Sequence, residues 1–189
     1  MSARKPGRTP VARVAQGAVL HRVHGEARAA RWYGRRDATS RWDDPGGAFG
    51  VLYLGRSPVG AFAEALLRTP TDRDVLWSRA GQRRQATFRL LEPLQLAKLH
   101  GEGLAWFEVA AAQIALSDYT VPQGLARRIH DGLSVDGIQY RSRFDNDELC
   151  VALFDRADTK LELSAEGGPI DKAWVRQVLA KPGYRLIDL

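Results

Sequence analysis

Three side chains capable of chemistry fall in one short stretch of this chain, RWDDPGGAFGVLYLGRSPVGAFAE, which runs from Arg41 to Glu64. The guanidinium of Arg41 can grip a phosphate or pyrophosphate bidentately, which a lysine ammonium does less well. The carboxylate of Glu64 lies among Ala, Phe and Leu, with no other charge in its helical run until Arg68. A carboxylate in such company must be exposed, paired or held for a purpose. Held in a cleft, it can stabilise the positive charge that develops on a sugar as a glycosidic bond breaks. Tyr53 offers a ring for stacking and a hydroxyl, although a core position is the commoner fate of Tyr in an apolar strand. Each has an ordinary reading as well: most helical glutamates are solvated, and 23 arginines make any one of them unremarkable.

Three elements must bring these groups together. Arg41 precedes a tight Asp-Asp-Pro-Gly-Gly turn. VLYLG then reads as a short buried strand carrying Tyr53. Ser57 offers an N-cap with Pro58 at the first helical position, which opens the helix PVGAFAEALLR. Ala61, Ala65 and Leu66 face the core of that helix, and Glu64 sits at the edge of its buried side. Upstream, GAVLHRVH alternates as a first strand, followed by a long loop from Gly25 to Gly47; loops of that length are often functional. Downstream, QATFRLLEPLQL reads as one or two strands broken at Pro93. AWFEVAAAQIAL fits a helix as well as a buried strand. Ser117 or Asp118 can cap a helix from about Tyr119 to Asp131, with Leu125 and Ile129 on one face. VDGIQYRS and ELCVALF form a hairpin across Arg143–Asp147. IDKAWVRQVLAK is a final helix that stops at Pro182-Gly183, and YRLIDL is an edge strand or tail.

The bulk properties set limits. With 189 residues and 44% apolar content, the chain fits a single domain with a sizeable core. Residues 1–15 read as a flexible basic tail and 16–189 as the domain. No run approaches the ~20 apolar residues of a membrane span, and no signal-peptide core follows the basic N-terminus. The one cysteine, Cys150, lies in the apolar run LCVALF and reads as core packing in a reducing cytoplasm. The net charge of +6 sits at one end: residues 1–42 carry ten Lys/Arg against two acids, and the remainder 18 against 20. A dinucleotide, an acidic protein or RNA would each suit that charge, but no nucleic-acid-binding motif accompanies it. His21 and His24 are three apart on a strand, so they face opposite ways and make no metal pair. There is no Walker loop, and GGAFG precedes its strand rather than following one, so it is no dinucleotide fingerprint. Strands and helices interleave without regular βαβ spacing, which points to a mixed α+β domain.

Arg41, Glu64 and Ser142, in that order and context, resemble the RES domain family, with GIQYRSR supplying the serine and the match running from about Val19 to about Phe154. RES proteins are toxin halves of bacterial toxin–antitoxin pairs with an ADP-ribosyltransferase-like fold. The resemblance implies a split, mainly antiparallel sheet around a cleft, and NAD as the substrate, cleaved between nicotinamide and ribose. Water or phosphate would be the acceptor, and a protein side chain is the alternative. Glu64, Arg41 and Tyr53 match the family's pattern, with Tyr53 stacking on nicotinamide and its hydroxyl at the cleft. Arg22 matches a basic position on the first strand and shares the phosphate or nicotinamide-ribose contact with Arg41; its plain reading is a solvent-facing strand residue. Ser142 would donate a hydrogen bond to the cofactor rather than act as a nucleophile, since no histidine stands ready as its base. Arg143 would hold phosphate or pair with Asp145 or Asp147. A cognate antitoxin, a separate helical DNA-binding chain, is implied as partner. The chain departs from the family in having DATS where a Gly-rich run usually precedes the arginine, and a second Asp after Trp42-Asp43. Without the resemblance, a non-catalytic basic module that holds an acidic protein or RNA is the rival from another class.

Overall fold

Alternation in VLHRVHG buries Leu20, Arg22 and His24 on one side of a strand, and that strand borders the cleft that organises the molecule. The computed structural model describes residues 7–34, 39–67, 74–180 and 184–188. In chain order the first elements are β1 (Val11–Val14), β2 (Val19–Gly25), β3 (Val51–Gly55), α1 (Pro58–Leu66), β4 (Asp74–Leu76) and α2 (Trp77–Ala80). There follow β5 (Arg83–Leu90), β6 (Leu94–Leu99), α3 (Glu102–Trp106), α4 (Ala111–Ala115), α5 (Thr120–Gly132) and β7 (Gly137–Arg141). The last are β8 (Leu149–Phe154), β9 (Leu161–Pro169), α6 (Lys172–Val178) and β10 (Arg185–Ile187), with a 3₁₀ turn at Asp155–Lys160.

An eight-stranded sheet runs β1-β6-β7-β8-β3-β2-β5-β9. All its pairs are antiparallel except β6 with β7, which the helices α3 to α5 connect. The domain is therefore α+β with a mainly antiparallel sheet and flanking helices. The sheet is uneven. β2 matches β5 from Val19↔Arg89 to Gly25↔Arg83, and β3 matches β8 from Val51↔Phe154 to Gly55↔Cys150. Between them β2 and β3 share one register pair, His21↔Gly55. Beyond it the strands part, and the cleft opens in the gap.

The helix that carries Glu64 is set locally. Ser57 Oγ accepts from Gly60 N–H at 2.9 Å, and Pro58 opens the first turn. Gly55 lets this helix lie against the end of β3: a Cβ there would stand 2.3 Å from the Ala61 nitrogen. Phe62, Ala63 and Leu66 then pack with Val175 and Val178 of α6. Ala61 and Leu66 are buried as expected, whereas Ala65 is half-buried.

Several expectations change. Residues 1–15 are not a tail throughout, because Val11–Val14 pairs with β6 and Val14 is buried; residues 1–6 lie outside the described residues. AWFEVAAAQIAL is neither one helix nor a strand. Glu108 adopts a left-handed φ of 56°, which separates α3 from α4. Asp118 rather than Ser117 supports the start of α5, accepting from Thr120 N–H at 2.9 Å. The C-terminal YRLIDL contributes β10, paired in parallel with β4. The stop expected at Pro182-Gly183 lies outside the described residues, as does Arg68.

Candidate active site

The cleft between the parted strands has a volume of about 610 Å³, within the usual range for a small-molecule site. Arg22, Arg41, Tyr53, Glu64 and Arg143 all line it. Five arginines reach it, since Arg28 and Arg83 join those three, and Glu64 is the one carboxylate among the described lining residues. A cavity with that balance favours an anionic ligand with a centre that turns positive.

Glu64 is held from two sides by β7 and the residue that follows it. Ser142 Oγ donates to Oε1 at 2.6 Å, and the Tyr140 hydroxyl donates to Oε2 at 3.1 Å. Tyr140 and Ser142 stand two residues apart, so the strand's pleat turns both to the same side. Burial, and then the charge of Glu64, push the Tyr140 hydroxyl well above its ordinary pKa, so it stays a donor. Ser142 has its partner within the protein. It is 2% exposed, does not line the cleft, and has given its single hydroxyl hydrogen to Glu64. Its oxygen also accepts from Phe144 N–H at 3.2 Å.

Arg41 is 7% exposed and sits 5.5 Å from the Tyr140 ring centroid, inside cation–π range. Its Nε has no hydrogen-bond partner. The turn after it is built by both aspartates. Asp43 accepts from Ser40 N–H and from the Tyr53 hydroxyl, each at 2.9 Å. Asp44 accepts from Ala48 N–H at 2.7 Å and pairs with Arg127 at 2.9 Å. Burial raises the Asp44 pKa, but the Ala48 N–H and Arg127 outweigh it and the net shift is downward. The second Asp of Trp42-Asp43-Asp44 is thus an anchor of this turn to α5.

The Tyr53 hydroxyl is likewise taken up within the protein: it accepts from Trp42 N–H at 2.9 Å and donates to Asp43. Burial first, and Asp43 next, push its pKa well up, so the hydroxyl is fixed as a structural donor. The half-buried side chain still lines the cleft.

Arg22 is not the solvent-facing residue of its plain reading. It is 7% exposed, and its Nε and Nη1 have no partner. Nη2 makes a long contact of 3.4 Å to the Trp32 carbonyl. Burial, with Arg28 adding repulsion, pulls its pKa down to about 10, so it remains charged at neutral pH. Arg143 lines the far wall, with Nη1 donating to the carbonyls of Ala115 and Leu116 at 3.4 and 3.3 Å. Cys150 is fully buried, and burial pushes its thiol well up, as suits core packing.

The sequence reading passed over Tyr140, His24, Arg28, Arg83 and Tyr119, all of which line the cleft. Tyr140 had a usable signal, since it lies two residues before Ser142. No group of three or more His, Cys, Asp or Glu side chains suited to a metal occurs among the described residues, and none of their helices is long and apolar enough to cross a membrane.

Comparison with known proteins agrees with this architecture. The family model described as the RES domain matches residues 19–174. Among solved structures, a chain of the M. tuberculosis MbcT-MbcA toxin-antitoxin complex superimposes with a TM-score of 0.65 at 15% identity, covering 89% of this chain and 92% of that one. At that identity the likeness is one of fold. No curated protein matches.

Proposed function

This chain belongs to the RES domain family, and from that premise we propose that it is the toxin of a toxin–antitoxin pair and consumes NAD by breaking the nicotinamide–ribose bond. Support comes above all from one observation. Glu64, gripped by Tyr140 and Ser142, shares a cleft with two buried arginines that have unpaired N–H groups. An anionic pyrophosphate satisfies the arginines, and the carboxylate faces the sugar whose charge turns positive.

In this reading Arg22 and Arg41 hold the pyrophosphate, and Arg143 contributes to the same anionic half. Tyr53 presents its ring to the nicotinamide while its hydroxyl fixes the Arg41 turn. The bond from the ribose anomeric carbon to the nicotinamide nitrogen breaks, and its electron pair leaves with neutral nicotinamide. Glu64 stabilises the oxocarbenium-like sugar. Ser142 and Tyr140 act through Glu64, holding both carboxylate oxygens in place. Water then adds to the anomeric carbon and loses a proton, giving ADP-ribose; inorganic phosphate at the same position gives the phosphorolysis product. A cognate antitoxin as a separate chain fits a fold shared with a chain of a toxin-antitoxin complex, and the cytoplasm, where NAD is abundant, is the place of action.

The test is to incubate purified chain with NAD and follow free nicotinamide, with and without phosphate, beside a Glu64→Gln control. Nicotinamide release by the wild type that is lost in the variant supports the reading, and dependence on phosphate identifies the acceptor. If Glu64→Gln depletes NAD at the wild-type rate, the mechanism is wrong. ADP-ribose appearing on added bacterial protein, with no release in its absence, would replace hydrolysis by transfer to a protein.

A further inference from the structure

The NAD reading gives no role to the buried Nε2 of His24, which lines the cleft. His24 lies two residues past Arg22 on β2, so the two share a face about 7 Å apart along the strand. Its side chain is 6% exposed and lines the cleft. Nδ1 stands 3.1 Å from the Gly25 carbonyl oxygen. A carbonyl only accepts, so Nδ1 carries the hydrogen and donates it. In the neutral ring Nε2 is then a lone pair, buried and with no hydrogen-bond partner.

Among the charged side chains of the cleft, donors outnumber acceptors. The arginines that line the cleft have N–H donors and nothing to accept with. Both oxygens of Glu64 already receive hydroxyl hydrogens. A ligand that satisfies the arginines through its phosphates brings neutral donors as well, and these need acceptors. We infer that His24 Nε2 accepts a hydrogen bond from a neutral O–H or N–H donor of the bound dinucleotide, the adenosine-side ribose 2′-hydroxyl or the nicotinamide carboxamide. The assignment rests on the NAD reading. His24 takes no part in breaking the bond; it selects and orients the ligand.

Two substitutions separate this role from folding. His24→Asn keeps an amide N–H near the place of Nδ1 and deletes Nε2. His24→Gln puts an amide oxygen near the place of Nε2. The melting temperature without ligand checks that each variant folds. For one neutral hydrogen bond, His24→Asn is expected to raise KM for NAD about 3- to 10-fold with a smaller change in kcat. His24→Gln should recover most of that loss. Two analogues locate the donor: NAD lacking the adenosine 2′-hydroxyl, and NAD with acetyl in place of the carboxamide. With the analogue that lacks the bonded donor, wild type and His24→Asn should have equal KM. A KM for His24→Asn within twofold of wild type overturns the assignment. So does a penalty that persists with both analogues, or no recovery in His24→Gln. If the wild type neither releases nicotinamide nor gains melting temperature with NAD, the NAD reading itself fails and takes this inference with it.

Discussion

The two walls of the cleft are built on opposite principles. On the Glu64 wall both contacts are made: hydroxyls from β7 and from Ser142 just past its end reach the two carboxylate oxygens, and both donors are themselves buried. On the arginine wall, Arg22 and Arg41 are as deeply buried, yet three of their N–H nitrogens have no partner. Burying a cation without an anion is costly, and a fold selected for stability alone would pair it or replace it. One wall is complete within the protein and the other keeps donors to spare. Under the proposed function, the carboxylate is pre-organised for a charge that exists only during reaction, and the arginines for a charge the ligand brings.

The largest effect that would sharpen this contrast is on the chemistry. Glu64→Gln keeps the side chain's shape and one acceptor oxygen, with the amide nitrogen donating to the other hydroxyl, but removes the negative charge, so nicotinamide release should fall about 100-fold or more. Its melting temperature should stay within about 3 °C of wild type, roughly 1 kcal/mol. A tenfold loss or less would mean that the carboxylate wall is not the reactive one.

Arg22→Met tests the opposite wall. It deletes a buried, poorly paired cation, so NAD affinity should fall about 10-fold or more while thermal stability holds or rises. Calorimetric titration and a melting curve read the two quantities on one sample. A clear loss of stability would break the comparison, because Arg22 would then be a structural residue.

Ser142→Ala sits between these. A hydrogen bond to a charged group contributes about 1.5–3 kcal/mol, less here because Glu64 is partly exposed. The variant should lose about tenfold in kcat with KM changed less than twofold, the mark of a residue that acts through Glu64. Tyr140→Phe, which removes the longer contact, should lose less. A KM effect larger than the kcat effect would return Ser142 to direct ligand contact.

Ser57→Ala should have the smallest effect. Loss of the N-cap, together with the hydrogen bond that Ser57 Oγ donates to Glu148, costs about 1–2 kcal/mol, or roughly 2–8 °C in melting temperature. It should reduce activity only slightly, since Gly55 and the packing on α6 still hold the helix. A drop in activity comparable to that of Ser142→Ala would show that the cap itself sets the position of Glu64.

Much of the site was legible because its signals are local. Ser57-Pro58 announces a helix start, VLYLG a buried strand, and the apolar helix marks its single carboxylate as unusual. The same locality explains the failures. β9, LELSAEGGP, has little apolar periodicity; it forms because its backbone completes the edge beside β5. β1 was hidden in a basic segment for the same reason, its pairing with β6 supplying what composition did not. Tyr140 lies 76 residues from Glu64, so only the register of β7 against β8 and the seat of α1 bring the two together.

By itself the sequence determined the element types around Arg41, Tyr53 and Glu64, the α+β class, and the family resemblance, since all of these follow from short-range pattern and residue order. Tertiary structure alone decided the rest: that β2 and β3 part after one register pair, that Arg22 is buried with unpaired nitrogens, and that Ser142 donates to Glu64. Those outcomes depend on desolvation and on which hydrogen-bond partners arrive from distant strands, and neither is defined until the chain has closed on itself.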